Sequence, residues 1–274
     1  MLVAAPVRPV VFVFVLVHRA GEYRRPMDDE SLARMERILL ATWPSLETEE
    51  RGGWVAGFNG GFTGRANSVT VVRRTEHAAL DELCEWVEGW YRTRGAVPAF
   101  RITPLSTDVG EALTTRGYRW WRNGASVMMG ELDALAGLVT PDPYESSCAP
   151  TADESWYRLS GHDERAEAVL TEMFDGISPP SLHVTLRHGD ETSAIGRGVL
   201  HDGHLAIFGM ETAVDHRRRG LASAVIGHLA RWAIERGADR ATLQVETGND
   251  GAHALYERLG FGDRYEYSYV ALER

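Results

Sequence analysis

The chain has 274 residues, of which 44% are hydrophobic and 25% charged, proportions typical of a folded globular protein rather than a disordered one. Its formal net charge is −10, and all 29 basic residues are arginine. Attachment to nucleic acid or to an anionic membrane needs clustered positive charge, so the composition disfavours both partners. The two cysteines, Cys84 and Cys148, lie in no CxxC or Cys/His array, which excludes a disulfide framework and predicts no metal site.

The beginning of the chain contains an apolar run, Val10–Val17, that is too short to span a bilayer. A secretory signal would need a small-residue cleavage site, and Arg24-Arg25-Pro26 is a poor one. We therefore expect a strand here and a cytoplasmic protein. Translation starting at Met27 is an alternative, in which case residues 1–26 are an extension.

The first half alternates between helical and β-like patterns. Apolar residues three and four apart predict helices, and short apolar runs bounded by turn residues predict strands. In chain order the predictions are a helix through Leu32–Leu39 that ends before Pro44, strands at 53–58 and 66–72 around Asn59-Gly60-Gly61, a helix over 80–91 closed by Gly95, a strand at 100–103, a helix at 108–115 and a strand at 120–129.

A proline-rich stretch, residues 136–151, shows little periodicity and predicts a domain boundary. The expected domains are 1–138 and 151–274, in keeping with a length that favours two domains. In chain order the second half is predicted to contain helices at 153–159 and 163–174, a strand at 182–187, hairpin strands at 194–200 and 205–214 around Asp202-Gly203, a helix from Leu221, a strand at 241–245 and a helix entered at Asn249.

An internal repeat links the two halves. A helix, an Arg-Gly pair, a strand, a second helix and a Gly-aromatic pair follow one another twice, with glycines at 95 and 117 and again at 237 and 260. This order indicates two related domains in tandem. Chance similarity of two α/β units is the alternative.

The segment Arg217-Arg218-Arg219-Gly220-Leu221-Ala222 lies between a predicted strand and a predicted helix. Small residues let the backbone approach a ligand, and the first amides of a helix have no internal partner. That combination suits a pyrophosphate, which also gains from the helix dipole and the arginine charges. A solvated basic turn capped by glycine is the alternative.

Three motifs in order resemble the GCN5-related N-acetyltransferase superfamily. They are Arg217-x-x-Gly220-x-Ala222, then Leu243-Gln244-Val245-Glu246, then Asn249-x-x-Ala252-x-x-Leu255-Tyr256-x-x-x-Gly260-Phe261. The resemblance is close over residues 206–262 and looser over the rest of the C-terminal half. It implies an α/β fold of two tandem domains, each with a mixed, mostly antiparallel central sheet flanked by helices. The second domain is expected to bind acetyl-CoA in a cleft between adjacent strands.

The resemblance also implies where the coenzyme binds. Amides of the turn would hold the pyrophosphate, and the preceding strand would carry the pantetheine, with a strand amide near Met210 stabilising the oxyanion. The implied coenzyme-binding residues are Met210, Thr212, Ala213, Val214, Arg217, Arg218, Arg219, Gly220, Leu221, Ala222, Ser223, Asn249 and Tyr256. Asn249 can equally serve as a helix N-cap, and Tyr256 as a core aromatic residue.

Proton transfer needs an acid and a base. Tyr256 resembles the tyrosine that gives a proton to the departing thiolate. The base candidates are Glu211, Glu246 and His204, with a water chain as an alternative. In a regular strand Glu211 would point away from Met210 and Thr212, which weakens its case unless a bulge intervenes.

The first half departs from the family pattern. The segment 73–78 lacks the glycine of a phosphate turn, and Thr114 stands where the proton donor would fall. We therefore expect a degenerate copy that shapes the acceptor site or the domain interface. The unusual stretch 61–68 is interpreted as a hairpin turn with a solvated Arg65. At the C-terminus, Tyr265, Tyr267 and Tyr269 are expected to share one sheet face and to pack in the core.

The expected reaction is direct acetyl transfer from acetyl-CoA to a primary amine of a small molecule or peptide, without a covalent enzyme intermediate and without a metal. The acidic balance favours a cationic amine. The alternatives are an acyl-CoA sensor without turnover, a transferase that uses another acyl-CoA, or an unrelated nucleotide-binding protein. Whether the protein forms a homodimer stays open.

Overall fold

A computed structural model describes residues 27–73 and 80–272, without the side chains of Arg122 and Asn123. The apolar run 10–17 lies outside the described residues, and so does most of the segment 73–78. No helix in the described ranges has the length and apolar character needed to cross a membrane.

Helices and strands alternate along the chain. The helices are α1 Asp29–Thr42, α2 Leu80–Arg92, α3 Thr107–Thr114, α4 Glu154–Ser160, α5 Glu164–Asp175, α6 Leu221–Ile234 and α7 Asp250–Arg258. The strands are β1 Glu47–Arg51, β2 Trp54–Phe58, β3 Val69–Val71, β4 Ala99–Ile102, β5 Tyr118–Glu131, β6 Glu145–Ala149, β7 Ser181–His188, β8 Glu191–His201, β9 His204–Thr212, β10 Arg240–Glu246 and β11 Gly262–Leu272.

The strands form one mixed sheet in the order β1-β2-β3-β4-β11-β5-β10-β9-β8-β7-β6. The pairs β3–β4 and β9–β10 are parallel and the others antiparallel, which confirms the predicted fold class. The last strand, β11, lies between β4 and β5 of the first half. The sheet is therefore continuous across the predicted domain boundary.

Buried polar contacts hold β11 in the first half. Tyr265, Tyr267 and Tyr269 all lie in the core cluster that also contains Phe100, as the alternation predicted. The Tyr265 hydroxyl donates to Glu36 Oε1 at 2.5 Å, and the same carboxylate forms a buried ion pair with Arg101. A buried charge needs this kind of partner, so the network fixes β11 against α1 and β4.

Two edge strands were not predicted. The sequence Glu47–Arg51 is almost entirely charged, yet it pairs with β2 as an exposed edge strand. The second is β6, which lies within the stretch 136–151 and pairs with β7, although the low periodicity of that stretch predicted no strand. Both strands form through main-chain pairing at a sheet edge, where side-chain alternation is not required.

The predicted repeat has a structural counterpart. The order α2, β4, α3, β5 recurs as α6, β10, α7, β11. The glycines that end the four helical segments, Gly95, Gly117, Gly237 and Gly260, all have left-handed backbone angles, with φ of 63, 93, 81 and 91°. The division into domains 1–138 and 151–274 stays a prediction.

The two faces of the second half carry different helices. Core residues of α6 pack with Leu205 and Ile207 of β9 on one face. On the other face, Leu170 and Met173 of α5 pack with Phe208. These faces are called the α6 face and the α5 face below.

Candidate active site

A cleft opens between β9 and β10. The two parallel strands pair from His204 with Arg240 as far as Ile207 with Leu243, and in the described chain their pairing ends there. Both strands nevertheless continue, to Thr212 and Glu246. The main-chain groups along the separated edges are therefore available to a ligand. The sequence predicted the coenzyme cleft at this place.

A β-bulge lies at the mouth of the cleft. Phe208 pairs with Arg197 and Glu211 with Ile195, so β9 contains one residue more than β8 between these pairs. Gly209 supports the bulge with φ of 57°. An inserted residue reverses the alternation beyond it. It turns Glu211 onto the α5 face, together with Phe208, whereas a regular strand would place it on the α6 face.

The turn after β9 presents main-chain donors. A short 3-10 turn at Val214–His216 leads into Arg218 and Gly220, whose φ angles are 65 and 80°. Gly220 is the N-cap of α6 and supplies no side-chain hydrogen bond. The amides of residues 221–223 therefore point out of the helix without a capping side chain, which is the arrangement that suits a diphosphate.

The three arginines of the turn have different surroundings. Arg217 donates through Nε to the Thr212 carbonyl at 3.0 Å and pairs with Glu211 at 3.2 Å. Arg219 donates to the Tyr144 hydroxyl and the Asp215 carbonyl, each at 3.0 Å. Arg218 is exposed. Arg217 and Arg219 thus stabilise the turn through these contacts. The exposed Arg218 side chain is available to an anionic ligand that approaches from solvent.

The turn is also held by Tyr144 and Glu191, which the sequence did not indicate as site residues. The Tyr144 hydroxyl lies 2.9 Å from His216 Nδ1, and His216 Nε2 lies 3.4 Å from Glu191. The His188 ring is 5.8 Å from that of His216. Tyr144 comes from the predicted boundary segment, where its only sequence signal was an aromatic residue among prolines. The contact joins residues far apart in the chain, which no local pattern reveals.

Tyr256 is buried in the core on the α6 face, and its ring centroid lies 5.9 Å from that of Phe261. Burial raises the pKa of its phenol to about 12, with the Glu211 carboxylate as a second cause. At neutral pH the hydroxyl therefore carries its proton and can donate it. The core role and a donor role are compatible.

Asn249 is the N-cap of α7. Its side-chain oxygen accepts a hydrogen bond from the Ala252 main-chain N–H at 3.1 Å. The main-chain N–H of Asn249 donates to the Glu246 carbonyl at 3.0 Å. The alternative role in helix capping is thus the one that the structure shows.

The base candidates lie in different places. Glu211 is half-buried beside the bulge, and Glu246 is exposed at the end of β10. His204 begins β9, seven residues before Glu211, which along a strand is more than about 20 Å away. Burial lowers the pKa of the His204 imidazole. Glu211 and Glu246 thus lie at the separated ends of β9 and β10, and His204 lies at the opposite end of β9; the choice of base stays a prediction.

The loop 61–68 reaches the second half. The Arg65 guanidinium lies 4.8 Å from the Trp43 ring and 5.6 Å from the Phe208 ring, and the side chain is half-buried. Arg165 of α5 donates to the Gly60 carbonyl at 3.0 Å. The interpretation of Arg65 as a solvated turn residue is wrong, because cation–π contacts hold it on the α5 face beside the bulge.

Comparison with known proteins supports the fold and the chemistry. The family described as "Probable histone acetyltransferase Rv0428c C-terminal" matches residues 31–270. The chain is 25% identical over 250 residues to a Bacillus subtilis (strain 168) protein named "Uncharacterized N-acetyltransferase YobR", covering 89% of this chain and 98% of that one.

Two solved structures share the architecture at low identity. A GCN5-related N-acetyltransferase from Kribbella flavida has a TM-score of 0.68 at 17% identity, and the match covers 88% of this chain and 95% of that one. A tandem GNAT protein from the clavulanic acid biosynthesis pathway has a TM-score of 0.63 at 11% identity, with 91% and 90% covered. Together with the family match, these findings show that the chain belongs to the family that matches residues 31–270, within the GCN5-related N-acetyltransferase superfamily, and that it is an acyltransferase.

Proposed function

We propose that this acyltransferase moves an acetyl group from acetyl-CoA to a primary amine by direct attack within a ternary complex. The observation that carries the proposal is the uncapped N-terminus of α6, directly beyond a strand whose edge is released from pairing. A helix N-terminus binds a diphosphate, and a free strand edge can pair with an extended amide chain such as pantetheine. The two features lie in the order that coenzyme A requires.

Each part of the coenzyme is assigned to a segment. The pyrophosphate is assigned to the turn and the start of α6, residues 217–223, with Arg218 adding charge. The pantetheine is assigned to Met210, Thr212, Ala213 and Val214, with Asn249 and Tyr256 across the cleft on α7.

The proposed transfer forms one bond and breaks one. The amine nitrogen attacks the thioester carbonyl carbon, the C–S bond breaks, and the product is an amide. Tyr256 gives its phenolic proton to the departing thiolate. Burial raises the pKa of this phenol, so Tyr256 carries the proton at neutral pH. The proton lost by the amine passes to Glu211 or Glu246, or through water to solvent. An amide near Met210 would stabilise the oxyanion.

We also propose that residues 151–274 form the catalytic domain and that residues 1–138 form a degenerate copy that shapes the acceptor side. The recurring element order supports a common origin. The contacts of Arg65 and Gly60 with the second half support the role in shaping the site.

The test compares Tyr256→Phe with Tyr118→Phe, a buried tyrosine of the first half that serves as a matched control. Acetylated product is measured by mass spectrometry and thiol release by colorimetry, over a panel of amines. Tyr256→Phe should lower kcat about 100-fold or more and leave the Kd for acetyl-CoA unchanged, since general acid catalysis is worth that factor. Tyr118→Phe should keep kcat.

Three results would contradict the proposal. Binding of acetyl-CoA without turnover on any amine would indicate a sensor. Faster transfer from succinyl-CoA than from acetyl-CoA would indicate a different acyl donor. Equal rates for the two tyrosine variants would remove Tyr256 as the acid.

A further inference from the structure

A cluster of buried polar side chains lies on the α5 face, outside the coenzyme cleft. Arg197 of β8 and His183 of β7 stand directly opposite each other in the strand register. Trp156 of α4 packs against the His183 ring, with centroids 5.3 Å apart. The exposed fractions are 0% for Arg197, 3% for His183 and 2% for Trp156.

The Arg197 guanidinium has no hydrogen-bond partner among the described residues, at Nε or at either Nη atom. The Phe174 ring lies 4.0 Å from its Cζ atom, which is a cation–π contact. Burial lowers the pKa of Arg197 to about 9, so the group is still a cation at neutral pH. An isolated buried cation is costly, and a cation–π contact offsets only part of that cost. A buried cation without a hydrogen-bond partner is a group that an anionic ligand would stabilise.

The neighbouring groups define what that anion looks like. His183 Nδ1 lies 3.2 Å from the Pro150 carbonyl, which can only accept, so Nδ1 carries the proton and Nε2 is an acceptor. Across the part of the chain that the structure describes, neither His183 Nε2 nor Trp156 Nε1 has a partner. The cluster thus offers a guanidinium fork, an indole donor and one acceptor. A fork of this kind matches a carboxylate, and the acceptor matches a donor on the same ligand.

The cluster adjoins the bulge of the active site. Phe208 pairs with Arg197. The Trp156 ring lies against Gly209, and a Cβ atom at Gly209 would be 3.1 Å from that ring. Arg197 is two residues along β8 from Ile195, the partner of Glu211, which is about 7 Å along a strand. One small molecule can span that distance.

A second cation lies on the same face. Arg65 contacts the Phe208 ring from the first half of the chain. Arg65 and Arg197 thus place two guanidinium groups on this face, which also carries the Glu211 carboxylate at the bulge.

We infer that Arg197, with Trp156 and His183, binds a carboxylate of the acceptor, and that the acceptor is a small amino acid-like molecule with its amine at the cleft. The inference rests on the acetyl transfer proposed above and names the substrate class of that site. It differs from the cationic acceptor expected from net charge, because the charge of a pocket is set by its own residues. The guanidinium is enclosed and the Phe174 ring lies over it, so binding of the carboxylate requires that ring to move.

The experiment uses the full chain with acetyl-CoA and matched pairs of amines, namely ω-amino acids of increasing chain length and their carboxamides. Wild type should show a kcat/KM at least about 100-fold higher for the acid than for the amide at the best length. Arg197→Met should bring this ratio close to one. Arg197→Lys should retain part of it, since lysine keeps the charge and loses the fork. Arg240→Met, an exposed strand arginine on β10, is the control and should keep the wild-type ratio.

A thermal melt separates recognition from a structural role. If Arg197 serves binding, Arg197→Met should melt at or above the wild-type temperature, because an unpaired buried charge is removed. The amino acid should stabilise the wild type and leave Arg197→Met unaffected. A marked drop in melting temperature, with no stabilisation of the wild type by any acid, would show a purely structural arginine and overturn the inference.

The outcomes also separate the two proposals. Acetylation of amines with equal kcat/KM for acids and amides overturns the carboxylate site and leaves the proposed function standing. Absence of acetyl-CoA binding or of any acetylated product overturns the proposed function itself. Should Arg197→Met fail to fold, the wild-type ratio of acid to amide decides the matter alone.

Discussion

Gly220 offers a sharp test of the phosphate-binding turn. Its backbone is left-handed, with φ of 80°, and a side chain added there would meet no atom within 4 Å. Gly220→Ala therefore introduces backbone strain without a steric clash. That strain amounts to about 1–2 kcal/mol for a residue with a Cβ atom. Gly220 is exposed, so the free turn can relax, and binding must then restore the strained geometry.

Gly237 provides the matched control. It ends the same helix at φ of 81° and also has no atom within 4 Å of an added side chain. Gly237→Ala should lower the melting temperature by about 2–8 °C, and Gly220→Ala by less, because its free turn relaxes. Isothermal calorimetry should show coenzyme A binding weakened about 5- to 30-fold by Gly220→Ala and unchanged by Gly237→Ala. Equal affinities for the two variants would refute a role of this turn in binding the diphosphate.

Three further variants address individual side chains. Arg218→Ala should lower the affinity for coenzyme A about five- to tenfold at low salt and less at high salt, without changing the melting temperature. Arg236→Ala, just beyond the C-terminal end of α6, is the control and should leave the affinity measured by calorimetry unchanged. Glu36→Gln leaves Arg101 buried without its counter-charge and should cost about 3–5 kcal/mol in urea unfolding, and a loss below about 1 kcal/mol would contradict the network. Burial, with Arg197 as a second cause, lowers the pKa of His183 to about 4. In the unfolded chain the His183 imidazole takes up a proton near pH 6.5, so the free energy of unfolding of the wild type should fall by up to about 3 kcal/mol between pH 6.5 and 4. Unfolding measured at a series of pH values should show a smaller fall for His183→Gln. Equal falls for the two proteins would contradict this assignment.

The sequence was sufficient for features that depend on neighbouring residues. The amphipathic helices α1, α2 and α6 show their apolar faces directly in the residue spacing. The turn at 217–222 was predictable because a strand, a glycine and a helix start are all local signals. The three C-terminal tyrosines followed from strand alternation.

Features that depend on distant pairing were not predictable. The position of β11 between β4 and β5 follows from Tyr265 and the buried Glu36–Arg101 pair, which come from three separate segments. The charged strand β1 is stabilised through its main chain. Arg197 gave one unused signal, since an arginine flanked by Gly196 and Gly198 within an apolar strand is unusual. The glycines make room for Met210 and α6 on the opposite face, which leaves Arg197 on the α5 face.

A crystal structure of the protein with coenzyme A would show directly whether the start of α6 binds the diphosphate. We expect pyrophosphate oxygens about 2.7–3.2 Å from the amide nitrogens of residues 221–223 and the pantetheine along β9 beyond Ile207. A diphosphate bound away from the start of α6, with β9 and β10 still separated and empty, would contradict it.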